Sequence, residues 1–195
     1  MTYSPTIDDG GASYRGAVFS MSLCVAMLIA SEFMPVSLLT PIAEGLGATD
    51  GQTGQAISIS GLFAVVASLL VSTLAGGLNR KTVLLAMTAL MLISLVMIAM
   101  APNFAVLMVA RALLGIAIGG FWALSTANTM RLVPEADVPK ALAIVVSGVS
   151  AATIFSAPVG SFVGDLLGWR AVFVGAAGLG ALAFVVQAAT LPAMP

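Results

Sequence analysis

The sequence predicts an all-α membrane protein of six transmembrane helices, and three observations carry that prediction. Of its 195 residues 60% are hydrophobic and 8% charged, against about 45–50% and about 25% in soluble domains. The apolar residues gather in stretches that match a bilayer core roughly 30 Å thick, which takes about 20 helical residues at about 1.5 Å each. Short segments rich in Gly, Pro, Asn and charge separate those stretches, as expected of turns.

The first span runs from about Ala17 to Ile42. Arg15 followed by Gly16–Ala30 has the polarity of a signal peptide, but the apolar stretch continues to Ile42 and five more follow, so it reads as a span. Residues 1–14 are expected to form a disordered cytoplasmic tail, leaving 15–195 as one six-helix bundle. A polar, glycine-rich loop, Glu44 to Gly51, leads to the second span at about Gln55–Ala75. A charged turn, Gly76 to Lys81, precedes the third at about Thr82–Met100, and Ala101-Pro-Asn103 the fourth at about Phe104–Thr129. Pro134 and Pro139 bracket an acidic loop before the fifth span at about Lys140–Gly164. Asp165–Arg170 separates it from the sixth, at about Ala171–Leu191.

Lys/Arg placement sets the orientation. With the N-terminus inside, Arg15, Arg80, Lys81, Arg131 and Lys140 are cytoplasmic, Arg170 is outside and Arg111 lies within the membrane. Both termini are therefore expected in the cytoplasm.

Composition also excludes several chemistries. Seven Lys+Arg against eight Asp+Glu give a net charge of −1, with no basic patch for nucleic acid. The absence of histidine removes Ser-His and Cys-His nucleophiles and histidine-ligated zinc. A single cysteine, Cys24, gives no disulfide framework or thiolate cluster. With no close carboxylate pair in the spans, an intramembrane enzyme is not expected, nor a metal or a cofactor.

Two ionisable residues inside spans demand explanation. Glu32 and Arg111 lie roughly 13 and 10 Å below the outer surface at about 1.5 Å per residue. They have opposite signs and similar depth, so they can pair directly or through water. Exposed to lipid, each would cost on the order of 2.5–3.5 kcal/mol, so both are expected to face a polar interior. A structural pair would fix helix register; a functional one would take up and release protons at Glu32, tuned by Arg111. Arg111, Gly115, Ile118, Trp122, Ser125 and Thr129 share one face of the fourth span. Gly54, Ser58, Gly61, Val65, Ser68 and Ser72 do so in the second. Trp122, Ser125 and Ser58 are the candidates for lining a substrate cavity. Gly115-x3-Gly119 and Gly160-x3-Gly164 read as close-packing surfaces, and Trp169 as an interfacial anchor.

Arg111-Ala-Leu-Leu-Gly115-Ile-Ala-Ile-Gly119-Gly120 resembles the fourth-helix Arg-x-x-x-Gly motif of the major facilitator superfamily. Gly148 through Ala157-Pro158-Val159-Gly160 resembles the fifth-helix Gly-Pro motif of its drug:proton antiporter branch, with Ala157 in place of the glycine before Pro158. Asn79-Arg80-Lys81 keeps the basic end of the cytoplasmic loop motif, with Gly76 where an aspartate is usual. The block Ser31–Pro41 and the block from Gly119 to Leu142 extend the similarity over most of the chain. The resemblance implies the N-terminal half of a twelve-helix inner-membrane exporter that exchanges protons for small molecules. Purine ribonucleosides are the first expected substrate, with sugars or drugs as alternatives. It also implies a partner, either a C-terminal six-helix half or a second copy, because the substrate lies between two halves in this fold. The rival expectation is a six-helix membrane protein that does not transport.

Overall fold

The computed structural model describes residues 10–74 and 79–191. Its elements are α1 (Gly10–Ser37), α2 (Leu39–Leu46), α3 (Asp50–Leu74), α4 (Arg80–Ala99), α5 (Phe104–Leu132), a 3-10 turn (Glu135–Asp137), α6 (Val138–Leu167) and α7 (Trp169–Thr190). Six of these, all but α2 and the 3-10 turn, are long and apolar enough to cross a membrane. Residues 1–9 of the expected tail, Gly76 and the rest of 75–78 lie outside the described residues.

Several boundaries differ from the sequence expectation for local reasons. α1 already begins at Gly10, so the last residues of the expected tail are helical. Its far end stops at Ser37 rather than Ile42. Pro35 lies within the last turn of α1, Leu38 donates to the Pro35 carbonyl in a tight turn, and a separate two-turn helix follows. α2 ends on Gly47, whose φ of 63° is the left-handed conformation that glycine adopts without penalty. The expected loop through Gly51 therefore shrinks to a few residues. Thr49 and Gln52 close it as a reciprocal cap: Gln52 N–H donates to Thr49 Oγ1 at 3.2 Å and Thr49 N–H to Gln52 Oε1 at 2.9 Å. Asn79 and Asn103 cap α4 and α5 by accepting from the backbone of Lys81 and Val106. Gly168, at φ 83°, is the one residue between α6 and α7, where a longer break was expected.

α3 packs most extensively on α5 and α1 on α6, while α4 bridges α5 and α7. Lipid tails are as apolar as leucine, so close backbone approach rather than a hydrophobic drive holds such helices together. The glycines provide that approach. A Cβ on Gly115 or Gly119 would run into the α3 backbone at Ser60 and Ala64, and one on Gly148 into Ser22 of α1. Gly160 lies against Met34 and Ser37. Trp169 is buried rather than at a lipid interface: its indole lies over Gly45 of α2, Phe173 meets it edge-on, and the Arg170 guanidinium stacks 4.2 Å from its ring centre. Buried polar contacts pin the frame. Ser94 donates to the Ala110 carbonyl at 2.7 Å, and the Thr88 hydroxyl lies 2.8 Å from Gln187 Oε1.

Candidate proton-exchange site

Three helices meet around one guanidinium. Arg111, on α5, is 1% exposed, and each of its three nitrogens donates to a neighbouring helix. Its Nε donates to the Ala56 carbonyl of α3 at 3.2 Å and its Nη1 to the Ser31 carbonyl of α1 at 3.2 Å. Its Nη2 donates to Glu32 Oε2 at 3.0 Å and to Ser60 Oγ at 2.9 Å. The planar fork of arginine suits this task, since it reaches two backbones and a carboxylate at fixed angles. Gly115, one turn along α5, allows α3 to come close enough for Ala56 and Ser60 to reach it.

Glu32 pairs directly with Arg111, and its side chain keeps 20% exposure. Its second oxygen, Oε1, lies 2.7 Å from Ser60 Oγ, which also lies 2.7 Å from the Ile57 carbonyl. The site thus has a buried cation, a part-exposed carboxylate, and a hydroxyl between them. α1, α3 and α5 enclose the Arg111 guanidinium from within, while the Glu32 side chain keeps part of its surface exposed.

The remaining candidates do not join it. Ser58 stands on the exposed side of α3, bonded only to its own turn at the Gly54 carbonyl, and the expected face through Gly61 and Val65 is likewise exposed. The inward residues are Ala56 and Ser60, so the site hydroxyl is Ser60. Ser72, of the same expected face, has no described side chain. Trp122 is half-buried against the core and Ser125 is buried. They lie roughly 16 and 21 Å along α5 from Arg111, at about 1.5 Å per residue. Gly115, Gly119 and Gly160 act in packing, and Pro158 is exposed within α6. Among the described residues no three His, Cys, Asp or Glu cluster to hold a metal.

The family model of the major facilitator superfamily matches residues 21–195. The chain belongs to this superfamily. It is 52% identical over 177 residues to a Pseudomonas aeruginosa protein named transcription regulatory protein OpdE, covering 91% of this chain and 44% of that one. It is 44% identical over 179 residues to the purine ribonucleoside efflux pump NepI of Escherichia coli, covering 92% of this chain and 45% of the pump. The chain thus spans less than half the length of these curated relatives. Solved structures share the fold. A bacterial homologue of the human lysosomal transporter Spinster, in an inward-facing state, superposes with a TM-score of 0.82 at 17% identity over 95% of this chain and 44% of that one. The proton:xylose symporter XylE gives 0.83 at 14% identity, over 95% and 46%. This superfamily membership and the six apolar helices make the chain a multi-pass membrane protein.

Proposed function

We propose that this chain is the N-terminal half of a proton-coupled exporter of small molecules, with purine ribonucleosides as the first substrate class. The observation that carries the reading is Glu32 itself: a part-exposed intramembrane carboxylate tied to a buried arginine. Intramembrane ionisable groups are costly, and proton relays are among their main uses. The superfamily membership and the similarity to a nucleoside efflux pump support the rest.

In this mechanism an ionised Glu32 and Arg111 tie α1 to α5. A proton taken up at Glu32 removes the negative partner and loosens that tie; its loss to the other side restores it. The cycle biases a two-state rocking movement, in which one six-helix bundle moves against another around the substrate. The opposing bundle is a C-terminal half or a second copy. It would cover the outer faces of α3 and α6, where Leu62, Val65, Leu69, Phe155 and Phe162 are exposed. The protein sits in a bacterial inner membrane with both termini cytoplasmic, on the Lys/Arg asymmetry. In keeping with this, Arg15 of α1 and Lys140 of α6 line one groove at the same end of the bundle. A DNA-contacting role is not favoured, because that needs clustered cations and seven Lys+Arg here meet eight Asp+Glu.

The test is efflux driven by a pH gradient in a carrier containing this half. Glu32→Gln is expected to abolish it, since an amide keeps the shape but cannot exchange a proton. Unimpaired gradient-driven transport by Glu32→Gln would contradict the proposal.

A further inference from the structure

Ser60 has one hydroxyl proton and two acceptors waiting for it. Its oxygen is 2.7 Å from Glu32 Oε1 and 2.7 Å from the Ile57 carbonyl, and it receives a hydrogen bond from Arg111 Nη2 at 2.9 Å. A hydroxyl donates once and accepts twice, so the three contacts cannot all be satisfied in a single way. When Glu32 is ionised, the Ser60 proton goes to Oε1 and the Ile57 carbonyl keeps only its bond within α3. When Glu32 carries a proton on Oε1, both oxygens of that contact would otherwise present hydrogen to each other. The Ser60 proton then turns to Ile57, and Ser60 Oγ accepts from both Glu32 and Arg111. No heavy atom has to move.

We propose that Ser60 is a positioning residue whose rotating hydroxyl lets the buried cluster accept Glu32 in both protonation states. This rests on the proton-exchange reading of Glu32 given above. One proton enters from the aqueous side and stays on Glu32; Ser60 changes the direction of its own proton and loses none, and Arg111 remains charged. In the cluster α1 supplies Glu32 and the Ser31 carbonyl, α5 supplies Arg111, and α3 supplies only uncharged groups, Ser60 and the Ala56 and Ile57 carbonyls. The hydroxyl is therefore the one element of the cluster, among the described residues, that can redirect its own proton between two acceptors. Its place depends on Gly115, which seats the α3 backbone at Ser60 directly on α5. Without that oxygen a protonated Glu32 has no acceptor in the cluster for its O–H, and an ionised Glu32 has lost a donor; buried polar groups left in this way carry the full cost of desolvation.

Infrared difference spectroscopy on the protein in reconstituted bilayers, recorded across a pH titration, reads this directly. The carbonyl stretch of protonated Glu32 is identified as the band that Glu32→Gln removes. In Ser60→Ala that band is expected to move to higher frequency, because its O–H no longer has an acceptor. Ser60→Thr, which keeps the hydroxyl, is expected to leave it close to wild type. An unchanged amide band in each variant shows that the helices are intact, and the Thr variant separates loss of the hydroxyl from a general packing defect. A Glu32 band with the same frequency in wild type and Ser60→Ala would overturn the role of Ser60 while leaving proton exchange at Glu32 standing. Absence of any Glu32-dependent band at every pH would overturn the proton-exchange reading itself, and the role of Ser60 with it.

Discussion

The interior of the α1–α3–α5 junction and the outer faces of α3 and α6 are built on opposite principles. At the junction a charge is surrounded by protein: Arg111 makes four hydrogen bonds to groups from two other helices. On the outer faces almost nothing is covered. α1 is mostly buried, whereas few residues of α3 and α6 are. Exposure means different things in the two places. An apolar side chain such as Leu69 or Phe162 facing lipid costs nothing, because hydrocarbon meets hydrocarbon. An arginine facing lipid would be expensive. The structure therefore encloses Arg111, which would be costly in lipid, and leaves exposed apolar faces that cost nothing there.

Breaking the junction should have the largest effect. Arg111→Ala strands Glu32 and two backbone carbonyls, so a loss of about 3–5 kcal/mol is expected, measured as resistance to unfolding in mixed detergent. Arg111→Lys should recover little of it, because an ammonium group cannot reproduce the fork to Ala56, Ser31 and Glu32. A lysine variant as stable as wild type would show that the charge alone matters.

A milder break tests the approach of the helices. Gly115→Ala pushes a methyl into the α3 backbone at Ser60, and overpacking of this kind costs about 1–3 kcal/mol. Gly61→Ala, on the open side of the same α3, meets nothing and should stay within about 0.5 kcal/mol of wild type. Equal losses for the two would erase the distinction between the faces. Smallest of all should be Leu69→Ala on the outer face, again within about 0.5 kcal/mol for this chain in lipid. The same substitution should weaken association with an opposing bundle, seen as a lower yield of co-purified complex.

The comparison also explains what could be read beforehand. Six spans, the turns between them and the Glu32–Arg111 pair were legible, because membrane thickness sets span length and opposite charges at equal depth must meet. The close-packing role of Gly115-x3-Gly119 was legible for the same reason that small residues let helices touch. Ser60 was not. Gly54, Ser58 and Gly61 form a small-residue face at helical spacing, but Ala56 and Ser60 form another, and Ser58 and Ser60 differ by about 200° around the helix. Periodicity alone does not tell which face turns inward; only the position of the arginine on the neighbouring helix decides it. The separate α2 was hidden in the same way, since Ser37–Ile42 continues the apolar run and only Pro35 and the later Gly47 mark the break.

On the proposed function, the proton-exchange site is complete within this chain whereas the substrate path is not. The most direct test of this is concentrative purine ribonucleoside uptake into inside-out proteoliposomes under an imposed pH gradient. The chain is assayed alone and then co-reconstituted with a matching C-terminal six-helix half. No gradient-driven uptake is expected from residues 1–195 alone, and clear uptake with the second half present. Robust uptake by the chain alone would contradict this and make a homodimer the transporting unit.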